Sequence, residues 1–238
     1  MCKVAIVTGI ASGIGKYVAE QLAKKNVVVY GADIKNIQLD NVICRQCDVS
    51  DEKQVIDFIE EIKEKYGKLD YLINVAGILC YKKRATIDQL LYEEWDKVMK
   101  VNAYSVFMMT KYAIPLLRKG TNPAIINISS DQVKKFNRKS APYAVSKAAI
   151  EMLTKIAALE LLEDKIRVNA VALSSVDTCF IKDYFGKEKM KQMVKSADEQ
   201  MPFGIISVQD VWNAIRYILE DGNKMTGQIL LIDSGTTF

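Results

Sequence analysis

Three residues near the middle of the chain, Ser130, Tyr143 and Lys147, have the types and the spacing of a proton-transfer site. Tyr143 and Lys147 are four residues apart in a segment with helical periodicity, so a helix there places both on one face. An ammonium beside a phenol favours the phenolate, which lowers the phenol pKa from about 10 and suits a general acid–base. Ser130 follows a β-branched apolar run, and its hydroxyl can hold a substrate oxygen. Tyr–Lys pairs on one helical face are also common without any function, so the surrounding elements decide between the two interpretations.

Short apolar runs alternate with stretches of helical periodicity through the whole sequence, which indicates one α/β domain over residues 1–238. No internal repeat, low-complexity tract or linker divides the chain. Ser130 lies where the fifth predicted strand stops, and ligands bind beyond the carboxyl ends of the strands in parallel α/β sheets. The predicted strands are 3–8, 27–32, 42–48, 70–74, 124–128, 167–172 and 229–233, and the predicted helices end near residues 24, 66, 117, 162 and 219.

The first strand runs into a glycine-rich turn, TGIASGIG at residues 8–15, where a helix begins. Glycines let the backbone approach a pyrophosphate, and the free N–H groups and the dipole of a helix N-terminus favour the anion. The spacing of the glycines differs from the G-x-G-x-x-G fingerprint. Asp33 ends the second strand, where a carboxylate accepts hydrogen bonds from ribose hydroxyls and repels a 2′-phosphate. The unit therefore predicts NAD rather than NADP, and Lys35 nearby could soften that preference.

The composition favours a soluble, cytoplasmic protein and excludes several classes of function. The net charge of +4 on 238 residues, with both signs interspersed, does not indicate a nucleic-acid partner. No apolar run approaches the length of a membrane span, and the start of the chain is too short and strand-like for a signal peptide. The absence of histidine excludes His-dependent triads and His-ligated metal sites.

Five cysteines without a framework spacing indicate a reducing compartment. Cys44 and Cys47 form a C-x-x-C, but residues three apart in a strand face opposite sides of the sheet. No second pair exists to complete a zinc site. We therefore predict no metal site and no redox role for this pair.

Several landmarks together resemble, in order and spacing, the classical short-chain dehydrogenase/reductase family, and the resemblance covers essentially the whole chain. Each motif alone is modest, whereas all of them in register are specific. The matching positions are the turn at residues 8–15 (TGxxxGxG), Asp48 (the adenine-contacting aspartate), residues 74–77 (NxAG), Asn102 and Ser130 of a catalytic tetrad, and Tyr143 with Lys147 (YxxxK).

The resemblance implies a Rossmann-like, doubly wound parallel sheet of about seven strands with helices on both faces. It also implies that Tyr143 is the acid–base, that Lys147 lowers its pKa and holds the nicotinamide ribose, that Ser130 orients the carbonyl or alcohol, and that Asn102 anchors a water relay. The cofactor-binding residues that it implies are Gly9, Ser12, Gly13, Ile14, Gly15, Asp33, Asp48, Val49, Asn74, Ala76, Gly77, Tyr143, Lys147, Val176 and Thr178.

The implied activity is hydride transfer between NAD(H) and a secondary alcohol or carbonyl, on a substrate such as a polyol, a dihydrodiol or a hydroxy acid. Two alternatives stay open: a 3-oxoacyl-carrier-protein reductase, which Asp33 disfavours because those reductases generally use NADP, and a non-catalytic NAD-binding redox sensor or scaffold. Leu173-Ser174 replaces the family's usual Pro-Gly beside the nicotinamide, and Ser234 replaces a usual glycine. The family also implies a homo-oligomer, a tetramer or a dimer.

Two features bear on the substrate. Asp131 and Gln132 directly follow Ser130, where they could contact substrate hydroxyls. The segment at about 178–204, rich in Lys, Met and aromatic residues, follows a strand end and suits a lid, although its apolar residues could equally be ordinary packing. Basic residues flank the predicted pocket, either as a solvated face or as an attraction for an anionic substrate such as a carboxylate; they are Lys82, Lys83, Arg84, Lys134, Lys135, Arg138 and Lys139.

Overall fold

A computed structural model describes residues 2–178 and 201–238, and most of the predicted lid segment lies outside those ranges. Within them, the strands are β1 (Val4–Thr8), β2 (Val28–Asp33), β3 (Val42–Gln46), β4 (Tyr71–Asn74), β5 (Ala124–Ser130), β6 (Arg167–Leu173) and β7 (Ile229–Ile232). These seven strands form one parallel sheet in the order β3-β2-β1-β4-β5-β6-β7. The predicted doubly wound parallel sheet is thereby confirmed.

Helices cover both faces of the sheet, as its strands require, because successive side chains point to opposite faces and both are apolar. The helices are α1 (Gly13–Lys24), α2 (Glu52–Tyr66), α3 (Tyr92–Met99), α4 (Ser105–Leu117), α5 (Ala141–Glu160) and α6 (Val208–Glu220). In β1, Ile6 packs into the apolar cluster under α2, α4 and α5, whereas its neighbour Val7 packs into the cluster under α1 and α6.

The direction in which successive strands are added to the sheet reverses between β1 and β4. These two strands are hydrogen-bonded neighbours, although two strands separate them in the chain. A crevice opens beyond the carboxyl ends of the strands at such a switch point, and ligands bind there. The buried Thr8 hydroxyl accepts hydrogen bonds from the N–H groups of Val75 and Ala76, both at 3.0 Å. It therefore joins the two segments that border the crevice.

Two details of the sequence interpretation are refined by the structure. The helix predicted to end near residue 117 is divided into α3 and α4 by one π-helical turn, Lys100–Tyr104, with Asn102 at its centre. Strand β5 continues to Ser130, two residues beyond the predicted end of the strand. The connection between β2 and β3 contains no helix.

The C-x-x-C pair is separated by the sheet. Cys44 contacts the apolar cluster on the α1 and α6 side, and the buried Cys47 belongs to the cluster on the opposite side. Both thiols are free. In the described part of the chain, no group of three Cys, Asp or Glu residues is placed to hold a metal ion, and no helix has the length and apolarity of a membrane span.

Candidate active site

A cavity of about 840 Å³ lies beyond the carboxyl ends of β1, β2, β4, β5 and β6. The structure brings most of the predicted site residues to its wall. Those residues are Ser130, Tyr143 and Lys147 together with Gly9, Ser12, Gly13, Ile14, Gly15, Asp33, Asp48, Val49, Ala76, Gly77, Val176 and Thr178.

Asn74 and Asn102 occupy a different place, with side chains turned into the protein. The Asn74 amide donates to the Asn127 side chain at 2.9 Å, inside the sheet, rather than facing the cavity. Asn102 is completely buried behind Gly77, where a Cβ on the glycine would lie 3.3 Å from the Asn102 side-chain oxygen. The predicted roles of Asn74 and Asn102 as groups on the cavity wall therefore do not match the structure, in which neither side chain lines the cavity.

Helix α5 presents Tyr143 and Lys147 to the cavity, one turn apart. Pro142 lies in the first turn of the helix. Proline is tolerated there because the N–H groups of a first turn have no hydrogen-bond acceptor within the helix. Lys147 is 4 % exposed; its Nζ donates to the carbonyl of Ile128 at 2.8 Å and lies 5.6 Å from the centroid of the Tyr143 ring. Burial lowers the pKa of Lys147 to about 8, so its ammonium form still predominates at neutral pH.

This lowered pKa predicts a stability that depends on pH. An unfolded lysine titrates near 10.4, so between about pH 8 and 10.4 the unfolded chain binds the proton and the folded chain does not. The free energy of unfolding should therefore rise with pH across that window, by about 2–3 kcal/mol from this group. In Lys147→Met, the free energy of unfolding should rise less between pH 7.5 and pH 10 than in the wild type, because the contribution of Lys147 is absent. Urea unfolding at the two pH values measures the difference.

Lys155→Met is the matched control, because Lys155 lies exposed on the same helix. The control and the wild type should show the same rise. If Lys147→Met shifted the free energy of unfolding equally at both pH values, the lowered pKa would be rejected.

The Asn102 amide joins three segments. Its oxygen accepts the N–H of Ile78 at 2.7 Å, and its nitrogen donates to the Ile78 carbonyl at 2.9 Å and to the Ser146 hydroxyl at 3.0 Å. Ser146 in turn donates to the Tyr143 carbonyl. The π-helical turn thus fixes the loop after β4 against the first turns of α5, which carry Tyr143.

The glycine-rich turn is shaped by close backbone contacts. Gly9 has a φ of +75°, and a Cβ on Gly15 would lie 2.2 Å from the Gly9 carbonyl oxygen. No side chain could be accommodated at Gly15, so the strand and the start of α1 approach closely there.

The N-terminus of α1 is suited to an anion. The first turn of α1 carries no acidic residue, and the Ser12 side chain makes no capping hydrogen bond. By contrast, the Asp51 side chain caps the N-terminus of α2, and Ser207 and Asp210 form a capping box at the N-terminus of α6. Free N–H groups at a helix start attract negative charge. The structure therefore leaves the start of α1 open toward the cavity.

Asp33 is bound to the same turn. One carboxylate oxygen accepts the N–H of Ala11 at 2.8 Å, and the other accepts the N–H of Lys35 at 3.0 Å. These bonds hold the carboxylate at the cavity wall, where the Lys35 side chain also lies. A negative charge in this position favours hydroxyl groups over a phosphate.

A polar cluster that was only partly predictable lies beside Ser130. The Ser130 hydroxyl donates to Asp131 at 3.2 Å and accepts the N–H of Gln132 at 3.3 Å. The Thr236 hydroxyl donates to the other Asp131 oxygen at 3.4 Å and lies 3.3 Å from the Ser174 hydroxyl. Ser174 and Thr236 were missed as site residues; the one signal for Ser174 was its place in the departure from Pro-Gly.

The rim of the cavity is held by Glu94 and Arg84. Glu94 is buried, and its carboxylate accepts the N–H groups of Tyr81, Lys82 and Lys83. Nothing in the sequence distinguishes it from the neighbouring Glu93, which is exposed.

The basic residues that flank the pocket divide into two groups. Arg84 donates to the carbonyls of Arg138 and Lys139, joining the two flanking loops, and Lys82 pairs with Glu93 at 2.9 Å. Arg84 and Lys135 line the cavity. Part of this charge therefore serves to connect loops, and part of it faces the cavity.

Comparison with known proteins places these features in context. Residues 9–237 match a family model described as enoyl-(acyl carrier protein) reductase. The chain is 32 % identical to a 3-oxoacyl-[acyl-carrier-protein] reductase of Thermotoga maritima, with 98 % of this chain and 97 % of the relative covered. It is 29 % identical to an NAD-dependent glycerol dehydrogenase of Listeria innocua (99 % and 94 % covered). The ligand-free structure of the Thermoplasma acidophilum aldohexose dehydrogenase superposes with a TM-score of 0.92, at 29 % identity over 99 % of this chain and 94 % of that one.

Proposed function

The chain belongs to the short-chain dehydrogenase/reductase family, whose members act on CH–OH or carbonyl groups, and we propose that it transfers a hydride between NAD(H) and a secondary alcohol or its ketone. The observation that carries the proposal is the pairing of Tyr143 with the buried Lys147 ammonium, 5.6 Å from the ring, on the wall of the cavity. A dinucleotide supplies the hydride acceptor or donor when it is bound.

The residues of the cavity fit a dinucleotide. The volume of about 840 Å³ lies in the upper part of the range of small-molecule pockets, and it extends from Asp33 at one end to Ser130 and Tyr143 at the other. The uncapped start of α1 would hold the pyrophosphate, and Asp33 would accept hydrogen bonds from the ribose hydroxyls. Because Asp33 would repel a 2′-phosphate, we propose NAD rather than NADP as the cofactor.

The chain's own residues divide the chemistry as follows. Tyr143 exchanges the proton of the substrate hydroxyl, and the Lys147 ammonium stabilises the negative charge on the phenolate. Lys147 is held in place by the Ile128 carbonyl, which leaves its other protons for a ribose hydroxyl. Ser130 donates to the substrate oxygen, and Asn102 fixes the backbone that carries Tyr143.

For the substrate class, we propose a polyhydroxylated alcohol. The support is the polar wall of Ser130, Asp131, Ser174 and Thr236, together with two similar proteins whose names specify glycerol and aldohexose as substrates. The second candidate is a 3-oxoacyl-carrier-protein reductase, favoured by the named reductases among the relatives. Asp33 opposes that candidate to the extent that such a reductase requires NADP.

The experiment that tests the cofactor assignment is calorimetric titration with NADH and NADPH. The wild type should bind NADH at least about tenfold more tightly than NADPH, because the Asp33 carboxylate would accept two hydrogen bonds from the ribose hydroxyls of NADH. Asp33→Ala should weaken NADH binding by about tenfold or more and reduce the preference over NADPH. Asp40→Ala is the control, since Asp40 is exposed on the connection to β3.

Each outcome of that titration has a defined meaning. Tighter binding of NADPH by the wild type would reject the NAD assignment and favour the reductase alternative. NADH binding without turnover of any alcohol or ketone would favour the non-catalytic sensor or scaffold. Binding of neither nucleotide would reject the proposal, with the Leu173-Ser174 segment as the first place to examine.

We also propose a homo-oligomer, a tetramer or a dimer, in the cytoplasm. Exposed apolar side chains lie along α5 and just beyond its C-terminus. Others lie at the end of the π-helical turn and at the start of α4. An apolar face of this kind is expected to pair with a second copy of the chain. Free thiols at Cys2, Cys44, Cys47 and Cys80 suit a reducing compartment. Sedimentation velocity tests the assembly, and a monomer at micromolar concentration would contradict it. The exposed apolar residues are Tyr104, Phe107, Val145, Met152, Ile156, Leu159 and Leu162.

A further inference from the structure

We infer that Asp131 is a specificity-determining residue: its carboxylate selects substrates that carry a hydroxyl on the carbon next to the reacting one and disfavours substrates with a carboxylate there. Asp131 lines the cavity directly beside Ser130, which is proposed above to bind the substrate oxygen. The inference therefore depends on the proposed function, and it names a feature of the substrate that the family assignment leaves open.

The carboxylate of Asp131 is buried without a cation bonded to it in the described part of the chain. The residue is 8 % exposed, and its two oxygens receive one hydroxyl donor each, from Ser130 and Thr236. A carboxylate can accept about four hydrogen bonds, and a buried one that lacks donors is unfavourable. Asp131 therefore has acceptor capacity to spare on the side that faces the cavity.

The position of this carboxylate is fixed rather than adaptable. The main-chain oxygen of Asp131 accepts the N–H groups of Lys134 and Lys135, at 2.8 and 2.7 Å. Thr236, from the C-terminal segment, bonds the side chain, and the Ser174 hydroxyl lies beside Thr236. Ser174 and Thr236 are thus positioning residues, and Ser174 stands in the segment where the chain departs from the family's usual Pro-Gly.

Ser130 links this acceptor to the reaction. A serine hydroxyl has one proton, and here it is donated to Asp131. When Ser130 turns that proton toward a substrate oxygen, the near oxygen of Asp131 loses its donor. A hydroxyl on the adjacent substrate carbon can replace the lost donor, whereas a methylene group cannot. The exchange penalises monohydric substrates because a buried charged acceptor is left unpaired.

A neighbouring observation agrees with a polyhydroxylated substrate. Gln132 Oε1 is buried beside the same cavity and accepts no hydrogen bond from the described residues. Gln132 Oε1 therefore adds a second acceptor with unused capacity beside Asp131. A substrate carboxylate would instead meet the Asp131 charge in a partly desolvated place, where repulsion is screened little. Lys135 and Arg84 also line the cavity and would favour an anion, so the experiment has to distinguish the two influences.

The test compares pairs of substrates that differ by one group: 2,3-butanediol against 2-butanol, trans-1,2-cyclohexanediol against cyclohexanol, and 3-hydroxybutyrate as the anionic member. NAD⁺-dependent oxidation gives kcat/KM for each. The wild type should prefer the diol by at least about tenfold in each pair. In Asp131→Ala that ratio should fall by about tenfold or more, and in Thr236→Val it should fall by less, because Thr236 acts through Asp131.

Asp131→Asn separates the effect of the negative charge of Asp131 on substrate preference from the effect of its size and shape. It keeps one acceptor oxygen but removes the negative charge, so kcat/KM for 3-hydroxybutyrate relative to 2-butanol should rise about tenfold while the diol preference is partly kept. Asp57→Ala is the control, since Asp57 is exposed on α2 and should leave every ratio unchanged.

The outcomes are separable from those of the proposed function. A wild type that turns over 2-butanol as well as the diol, or that prefers 3-hydroxybutyrate, would overturn the inference, as would an unchanged diol ratio in Asp131→Ala. NADH binding with no turnover of any member of the panel would overturn it as well while leaving the cofactor assignment intact. Failure to bind NADH would instead reject the proposed function.

Discussion

Tyr143→Phe is expected to lower kcat for NAD⁺-dependent alcohol oxidation by a factor of about 10²–10⁴, the usual contribution of a positioned general acid–base. Phenylalanine retains the ring that lies 5.6 Å from the Lys147 ammonium, so the packing of α5 stays close to that of the wild type. The oxygen that exchanges the substrate proton is lost. NADH affinity, measured by calorimetry, should change by only a few-fold.

Tyr217→Phe is the matched control, because Tyr217 is half-exposed on α6, outside the cavity lining. It should retain the full kcat. A Tyr143→Phe variant with more than about a tenth of wild-type kcat would show that another group moves the proton. A variant that lost NADH binding together with activity would indicate a structural role for the phenol rather than an acid–base role.

The sequence was sufficient to predict the sheet and its order of elements, for a physical reason. The strands of a parallel sheet covered on both faces are continuous apolar runs, and such runs are visible without any tertiary information. In β5 and β6 every residue is buried. The same holds for Tyr143 and Lys147, because a spacing of four is a local property of a helix. Their position on the cavity wall agrees with the rule that ligands bind beyond the carboxyl ends of the strands, where Ser130 lies.

The π-helical turn at Asn102 could not be predicted in the same way. One additional residue in a turn shifts the apolar face of the helix by about 100°, a change that 3.6-residue periodicity cannot locate within a long apolar helix. The sequence signal was an asparagine where helix propensity is poor. Its meaning depends on Ile78, whose N–H and carbonyl are the groups that the Asn102 side chain satisfies.

The polar cluster around Asp131 could not be predicted from the sequence for another reason. Thr236 and Asp131 are 105 residues apart, and Ser174 and Thr236 are 62 residues apart, so their hydrogen bonds depend on how β5, β6 and the C-terminal segment meet. Hydroxyl side chains are common on surfaces, and their spacing in the chain carries no local signal. The sequence suggested a polar wall beside Ser130; the groups that hold it come from the fold.

Asn102→Leu is expected to be the most destabilising single substitution considered, by about 2–6 kcal/mol in the free energy of unfolding. Leucine has a similar volume, so the loss comes from polarity rather than from a cavity. The Ile78 N–H and the Ile78 carbonyl would lose their partner beside a side chain with no exposure to solvent, whereas the Ser146 hydroxyl would keep the bond that it donates to the Tyr143 carbonyl. Each buried group left unpaired costs about 1–3 kcal/mol. Urea unfolding monitored by circular dichroism measures the difference.

Asn213→Leu is the control, since Asn213 is exposed on α6, and it should stay within about 0.5 kcal/mol of the wild type. If Asn102→Leu unfolded within about 1 kcal/mol of the wild type, the amide would not be what holds the β4 loop against α5. Asn102 would then influence the reaction by a route other than the positioning of Tyr143.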